Sequence, residues 1–388
     1  MKNMKKYFFN LMKQYFERLG FLVSLFSLVS ILIILFIQKS PLLFSSITVN
    51  NSFVKEAVYW KKLDSCVKCE LCPNNCFLVE GAKGKCKVRM NKDNTLYTEV
   101  YGQPAAINVD PIEKKPVYHM LPGSRILSIA TVGCPLNCTF CQNWNISQAY
   151  PEQAHDGQLI EPEAIISYAR ENNIPSIAYT YSEPVIFYEY MLDTAKLAKK
   201  AGLKNVMVTS GYINPEPLKE IVPYFDVIKV DLKGFSEGFY MEETGGHLAN
   251  VLQTLKILRK MNILVEIVNL VIPQRNDSDN DIKKLCKWVY ENMGPDTPVF
   301  FTRYFPNYKL NNLPVTPLDT LLKARKAAID TGLRYVYIGN APESGAENTY
   351  CPYDGTLLIE REGYWIKKNI IKNGRCPVCG RKIPGIWE

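Results

Sequence analysis

The chain has 388 residues, 47% of them hydrophobic, which is enough to bury one large core with appendages. Its net charge of +8 is weighted toward the start, since four of the 46 basic residues fall in the first 13 positions. The remainder is close to balanced and carries no long Lys/Arg block interleaved with aromatics, which argues against nucleic-acid binding. Eleven of the twelve cysteines stand in three local groups, a distribution that reads as metal binding rather than a disulfide framework.

In chain order, the first feature is Phe21 to Ile37, an apolar run of 17 residues broken only by Ser24, Ser27 and Ser30. As a helix at ~1.5 Å per residue it spans ~25 Å, close to a hydrocarbon core of ~30 Å. Residues 1–40 therefore read as an N-terminal hydrophobic helix that anchors the chain to a membrane, with a signal peptide as the rival reading. Residues 41–123 read as a linker followed by a Cys-rich metal-binding region. There Cys69, Cys72, Cys76 and Cys86 are spaced C-x2-C-x3-C-x9-C, with Gly84 allowing a tight turn and Cys66 as an alternate ligand. Four thiolates make either a closed structural zinc site or an auxiliary iron–sulfur cluster.

From 124 to 340, apolar strand-like runs alternate with helical patterns. The strand candidates are 126–132, 176–181, 205–210, 226–232, 263–272, 299–304 and 335–339, and the pattern predicts an α/β fold with a parallel sheet, a partial or near-complete (β/α) barrel. In such barrels the chemistry sits on loops at the carboxyl ends of the strands. Directly after the first strand comes GCPLNCTFCQNW, which carries Cys134, Cys138 and Cys141 as C-x3-C-x2-C. Three thiolates in one loop can hold three irons of a [4Fe–4S] cluster and leave the fourth iron open. A structural zinc site would want four closed ligands, and between Cys141 and Cys286 the only further Cys or His are His155 and His247. Cys286, alone in a helical pattern, reads as an inert core thiol. Residues 341–388 form a C-terminal zinc-ribbon-like tail with Cys351, Cys376 and Cys379, in which Asp354 stands where a fourth cysteine is expected. Either Asp354 ligates, or the site is weakened, or packing of Tyr364, Trp365 and Trp387 holds the tail.

The C-x3-C-x2-C spacing with Phe140 before the last cysteine resembles the radical S-adenosylmethionine (SAM) enzymes. PIEKKPVYHMLPGSRILSIATVGCPLNCTFCQNWNISQ, AYTYSEPVIFYEY, GYINPEPLKE, VDLKGFSEGFY and the terminal CPVCGRKIPGIW resemble the AmmeMemoRadiSam-system radical SAM enzymes, which are similar to the activating enzymes of pyruvate formate-lyase. The resemblance implies a [4Fe–4S] cluster on Cys134, Cys138 and Cys141, and SAM bound at its open iron. It implies reductive cleavage of SAM to a 5′-deoxyadenosyl radical that abstracts hydrogen from an unidentified substrate. Glu183 matches an acidic position that contacts the SAM amino group, Ser210 a ribose or carboxylate contact, and Asp231 and Lys233 a DLK sequence at the active-site mouth, as catalytic candidates. Bland readings stand beside these: a helix-terminal glutamate, a strand-to-helix turn, and a salt bridge between residues two apart on one strand. Asn269, Ile272 and Pro273 fall near where relatives cradle adenine, and Phe300 stands where a histidine is expected. The implied partners are a flavodoxin- or ferredoxin-type reductant and Memo-like and AMMECR-like proteins, with no nucleic acid. A glycyl-radical activase and a non-catalytic metal-ribbon protein are the alternatives. Basic residues before the apolar run put the amino terminus in the cytoplasm. A single span would then put the rest of the chain outside, whereas such a cluster needs cytosolic reductant; a helix lying in the cytoplasmic face of the membrane satisfies both and predicts membrane association with the catalytic domain on the cytoplasmic side.

Overall fold

The computed structural model describes residues 54–153 and 159–388. The apolar run at 21–37 lies outside them, and among the described residues no helix is long and apolar enough to cross a membrane.

An eight-stranded sheet organises the fold. Its strands are β1 (Ala106–Pro111), β2 (Arg125–Ala130), β3 (Ser176–Tyr179), β4 (Lys204–Thr209), β5 (Val227–Asp231), β6 (Leu264–Val271), β7 (Val299–Arg303) and β8 (Val336–Gly339). They lie side by side in chain order; β2 to β8 are parallel, and β1 pairs antiparallel with β2. The two edges do not pair with each other, so the barrel is partial. All seven apolar runs in the sequence are strands of this sheet. They lack polar alternation because a parallel sheet is covered on both faces. The sheet begins at Ala106 rather than near 124, because β1 joins it as an edge. Asn108 and Val109 on β1 are exposed and Pro111 closes it, and such a half-polar edge with a terminal proline gives a weak strand signal.

The outer layer holds α1 (Pro162–Glu171), α2 (Tyr188–Lys200), α3 (Pro215–Ile221), α4 (Leu248–Lys260), α5 (Asp279–Met293) and α6 (Leu318–Asp330). In α4, Leu248, Val251, Leu255 and Leu258 are buried, a helical stripe in which each side chain is worth roughly 1.5–3 kcal/mol on burial. Cys286 on α5 is fully buried, and burial pushes its thiol up to about 12.

The amino-terminal end of the barrel is plugged. The backbone N–H groups of Tyr118 and His119 each donate at 3.0 Å to Glu266, a buried carboxylate on β6. Burial raises that carboxyl to about 7, against the pull of these two donors. Phe300 belongs to this plug, stacked on Tyr337 at 4.9 Å, and does not reach the cavity at the other end. The carboxyl tail seals the plug: Leu121 donates to the Ile386 carbonyl at 2.8 Å, and Ile386 to that of His119 at 2.7 Å. Only the carboxyl end of the strands is left open.

Two small antiparallel sheets precede the barrel. Lys55–Glu56, Thr95–Thr98 and Arg89–Lys92 form one; Trp60–Lys62, Val67–Cys69 and Phe77–Leu78 form the other. An ion pair between Arg89 and Glu189 of α2, with side chains 1% and 3% exposed, ties this module to the barrel. Removing one partner of such a pair strands the other charge in a dry interior. Glu189→Ala is therefore expected to lower unfolding free energy by about 3–5 kcal/mol in urea denaturation, and Arg89→Met with Glu189→Leu to recover most of it. A loss below ~1 kcal/mol in the single variant would mean that the pair is solvated.

Candidate active site

After β2 the chain turns at Gly133 into the cysteine loop. Gly133 has φ +96°, and a Cβ there would sit 2.6 Å from the Cys86 carbonyl oxygen, so both conformation and space require glycine. The loop is held on three sides. Asn137 and Thr139 donate to the Thr244 and Glu243 carbonyls at 2.8 and 2.9 Å, and Asn74 donates to that of Pro135 at 2.8 Å. Phe140 is buried and stacks on Phe239 at 6.0 Å.

Cys134, Cys138 and Cys141 open into a cavity of about 620 Å³ at the carboxyl ends of the strands, well within the ~300–1,000 Å³ of ligand sites. Glu183, Ser210, Asp231 and Lys233 line the same cavity. The fold thus brings together seven of the barrel residues singled out in the sequence, while Asn269, Ile272, Pro273 and Phe300 do not line the cavity. Burial raises the Cys134 thiol well above its ordinary range, with nearby Glu183 adding to the effect. Burial pushes Cys138 up to about 12, opposed by the Lys233 ammonium.

Glu183 is buried and accepts from Thr209 Oγ1 at 2.5 Å, from Ser210 Oγ at 2.6 Å, and from the backbone N–H of Ser210 at 2.8 Å. It also caps the turn at Pro184 by accepting from the Val185 N–H. Every one of these donors is neutral, and among the described residues no Lys or Arg forms a salt bridge with Glu183. Burial raises its carboxyl, and the Ser210 and Thr209 bonds offset this in part. A buried carboxylate without a countercharge is a fitted seat for a cationic ligand group. Ser210 serves that carboxylate directly.

Asp231 pairs with two lysines, Lys229 and Lys233. Burial would raise its carboxyl, but the two ammonium groups outweigh it and hold it below its ordinary range. Lys233 is in turn held above its ordinary range, by Asp231 first and Cys138 next, against burial. Asn269 is not a cavity residue: it donates to the Leu232 carbonyl at 2.8 Å, and its strand neighbours Val268 and Leu270 form the apolar wall. Sequence reasoning passed over Lys229, although a lysine inside the apolar strand VIKVD was the available signal. It also passed over Tyr181, a non-glycine residue at φ +63° whose carbonyl accepts from Asn143 at 2.9 Å; a strained residue at a cavity wall is a mark of function.

The cavity lining includes three cysteines from one loop and no further Cys or His. That donor set fits a [4Fe–4S] cluster with one open iron, and the uncompensated Glu183 fits the ammonium of SAM. A parallel partial barrel with this loop at the end of its first parallel strand defines a class of cluster-binding radical enzyme. The chain belongs to the radical SAM superfamily, whose sequence profile matches residues 128–289. Over 335 residues it is 42% identical to an uncharacterised protein of Methanocaldococcus jannaschii, covering 85% of this chain and 99% of that one. It is 25% identical over 160 residues to the pyruvate formate-lyase-activating enzyme of Clostridium pasteurianum, covering 40% of this chain and 66% of that one. Among solved structures, Streptococcus suis SuiB bound to S-adenosylmethionine aligns with TM-score 0.46 at 14% identity, covering 63% of this chain and 56% of that one.

The outer cysteines gather into two groups of different character. In the first, Cys72 lies close enough to Cys86, Cys69 and Cys76 that each thiol raises its own, after burial, which is the largest effect. In the second, Cys351, Asp354, Cys376 and Cys379 present ligand atoms that all lie within 4.8 Å of one another. The two halves of this second site share one backbone design. The Gly355 N–H donates to the Cys351 carbonyl at 3.0 Å and the Gly380 N–H to that of Cys376 at 2.9 Å, both glycines having positive φ. Asp354 thus occupies the position that Cys379 holds in the other turn. Cys351 and Cys379 sulfurs are 3.6 Å apart, and Cys376 Sγ is 3.4 Å from Asp354 Oδ2. Tetrahedral zinc with Zn–S of ~2.3 Å wants its ligands ~3.8 Å apart.

Of the three tail aromatics expected to pack, Trp365 is 75% exposed and Tyr364 lines the cavity; Trp387 alone fills that role, 5.4 Å from His119. Asp354→Ala is expected to lower zinc content per chain and to speed proteolysis of the tail, while Asp354→Cys raises zinc affinity by supplying a softer ligand. Zinc titration with a chromophoric chelator checks both; equal affinity in all three proteins would remove Asp354 from the site.

Proposed function

We propose that this chain cleaves SAM reductively, with Cys134, Cys138 and Cys141 holding a [4Fe–4S] cluster and Glu183 receiving the SAM ammonium. The observation that carries this reading is the meeting of three loop thiols and an uncompensated buried carboxylate in one cavity. With these groups bound, the chemistry supplied is one-electron cleavage of SAM to methionine and a 5′-deoxyadenosyl radical that abstracts hydrogen from a substrate. The electron comes from a flavodoxin- or ferredoxin-type donor.

The chain's own residues bind, orient and exclude water. Thr209 and Ser210 fix the Glu183 carboxylate, so Ser210 is a positioning residue. Lys233, held by Asp231, places a fixed positive charge that works against the effect of burial on the Cys138 thiol. Phe140, Leu136 and the Val268 and Leu270 wall keep the cavity apolar around these charges, which strengthens each interaction. Similarity to pyruvate formate-lyase-activating enzymes supports a second reading, an activase acting on a protein partner. The sequence resemblance supports action beside Memo-like and AMMECR-like proteins, and the apolar run at 21–37 supports membrane attachment with the catalytic part in the cytoplasm.

Replacing Cys134, Cys138 or Cys141 by Ala is expected to reduce 5′-deoxyadenosine formation to background after anaerobic reconstitution with iron, sulfide, dithionite and SAM. Turnover by all three variants would overturn the reading. Glu183→Gln should keep the absorbance of the cluster but weaken SAM binding about tenfold to a hundredfold, the ~1.5–3 kcal/mol scale of an interaction with a charged group. Ser210→Ala should cost less, since Thr209 and the backbone still hold the carboxylate. Removing residues 1–40 should leave SAM cleavage intact and abolish sedimentation with membranes.

A further inference from the structure

The first outer group has no role in the reading above. Cys69, Cys72 and Cys86 are buried and Cys76 is half-buried, and all four lie in one knuckle packed against the Cys134 loop. We propose that Cys69, Cys72, Cys76 and Cys86 hold a second [4Fe–4S] cluster, closed by four thiolates, directly beside the loop that holds the first.

The spacing of the sulfurs separates this from a zinc site. A single zinc ion gathers its ligands at one centre, as at the carboxyl-terminal site. Among the described residues, the set of three or more ligand atoms lying within 4.8 Å of one another is the Cys351, Asp354, Cys376 and Cys379 group. Among the described residues no three of the four amino-terminal thiols form such a set, and neither do Cys134, Cys138 and Cys141. A cluster imposes this wider spacing, because each thiolate binds a different iron.

Gly84 packs beside two of these sulfurs: a Cβ there would lie 3.6 Å from Cys86 Sγ and 3.8 Å from Cys76 Sγ. Donors are aimed at sulfur: the Lys85 N–H at Cys76 Sγ, 3.5 Å away, and buried Arg89 at Cys69 Sγ, 3.8 Å away. The cluster site adjoins the cavity loop through the Asn74–Pro135 bond and the contact of Gly133 with the Cys86 carbonyl. Asn214, after β4, donates to the Glu70 carbonyl at 2.8 Å and fastens the other side.

The test is metal and sulfide analysis of the anaerobically reconstituted full chain. Wild type should carry about eight iron and about eight sulfide, the content of two four-iron clusters. The Cys134→Ala, Cys138→Ala, Cys141→Ala triple variant, which leaves the knuckle intact, should retain about four of each. On reduction its electron paramagnetic resonance signal should not change when SAM is added, because no iron is open. Cys72→Ser in the wild-type background should lose iron without losing SAM cleavage in proportion. Four iron in wild type, or a triple variant with no sulfide and one additional zinc, would overturn the proposal in favour of a mononuclear knuckle. A triple variant with neither metal would leave four free thiols and overturn it as well. SAM cleavage by wild type containing only four iron would sink the second cluster while sparing the proposed function.

Discussion

Charge buried at the open end of the barrel is the constraint on which the rest of this structure depends. Glu183, Asp231 and Lys233 stand where the parallel strands end, Lys229 lies within β5, and all four line one cavity, where an unpaired buried charge is costly. Asp231 meets this by taking two lysines. Glu183 meets it only in part, with four neutral donors and no cation. The residual demand is for a positive group, and it falls beside the three thiols. Binding chemistry therefore follows from incomplete compensation at one residue, and its neighbours Thr209 and Ser210 are explained by the need to hold that residue still.

The two ends of the barrel are closed by different means. At the amino-terminal end, Tyr118, His119 and the carboxyl tail fill the interior, and Glu266 ties the plug to β6 through backbone N–H groups. This closure is made of packing, of backbone N–H bonds to the Glu266 carboxylate and of an Arg361 bond to the Tyr118 carbonyl, and it gives the strands a fixed base. At the other end the walls are loops, and each is tied to something rigid. The Gly133 turn rests on the Cys86 backbone, the Cys134 loop on Thr244 and Glu243, and the Ser210 loop on the amino-terminal knuckle through Asn214.

The carboxyl-terminal ribbon is part of the cavity rather than an appendage beyond it. The turn at Gly363 and Tyr364 lines the cavity, and the Gly363 N–H donates to Glu347 at 3.0 Å. The metal-sized cluster of Cys351, Asp354, Cys376 and Cys379 supports the sheet from which this turn projects.

The sequence by itself determined the class of fold and the cluster loop. Continuous apolar runs alternating with amphipathic helices have no other economical burial than a parallel α/β sheet, and three cysteines at short spacing carry their chemistry locally. Cys134, Cys138 and Cys141 were legible from their spacing in a loop after a recognisable strand, and Glu183, Ser210, Asp231 and Lys233 from the family resemblance of the segments that carry them. The edge strand Ala106–Pro111 was not, because half of it faces solvent and its pairing partner, not its own pattern, makes it a strand. Lys229 and Tyr181 were missed because their importance lies in what faces them. The tertiary structure alone decided that Ser210 supports Glu183, that Phe300 belongs to the plug, and that Cys351, Asp354, Cys376 and Cys379 bring their ligand atoms within 4.8 Å of one another. Those are distances between groups far apart in the chain, and only the closing of the fold sets them.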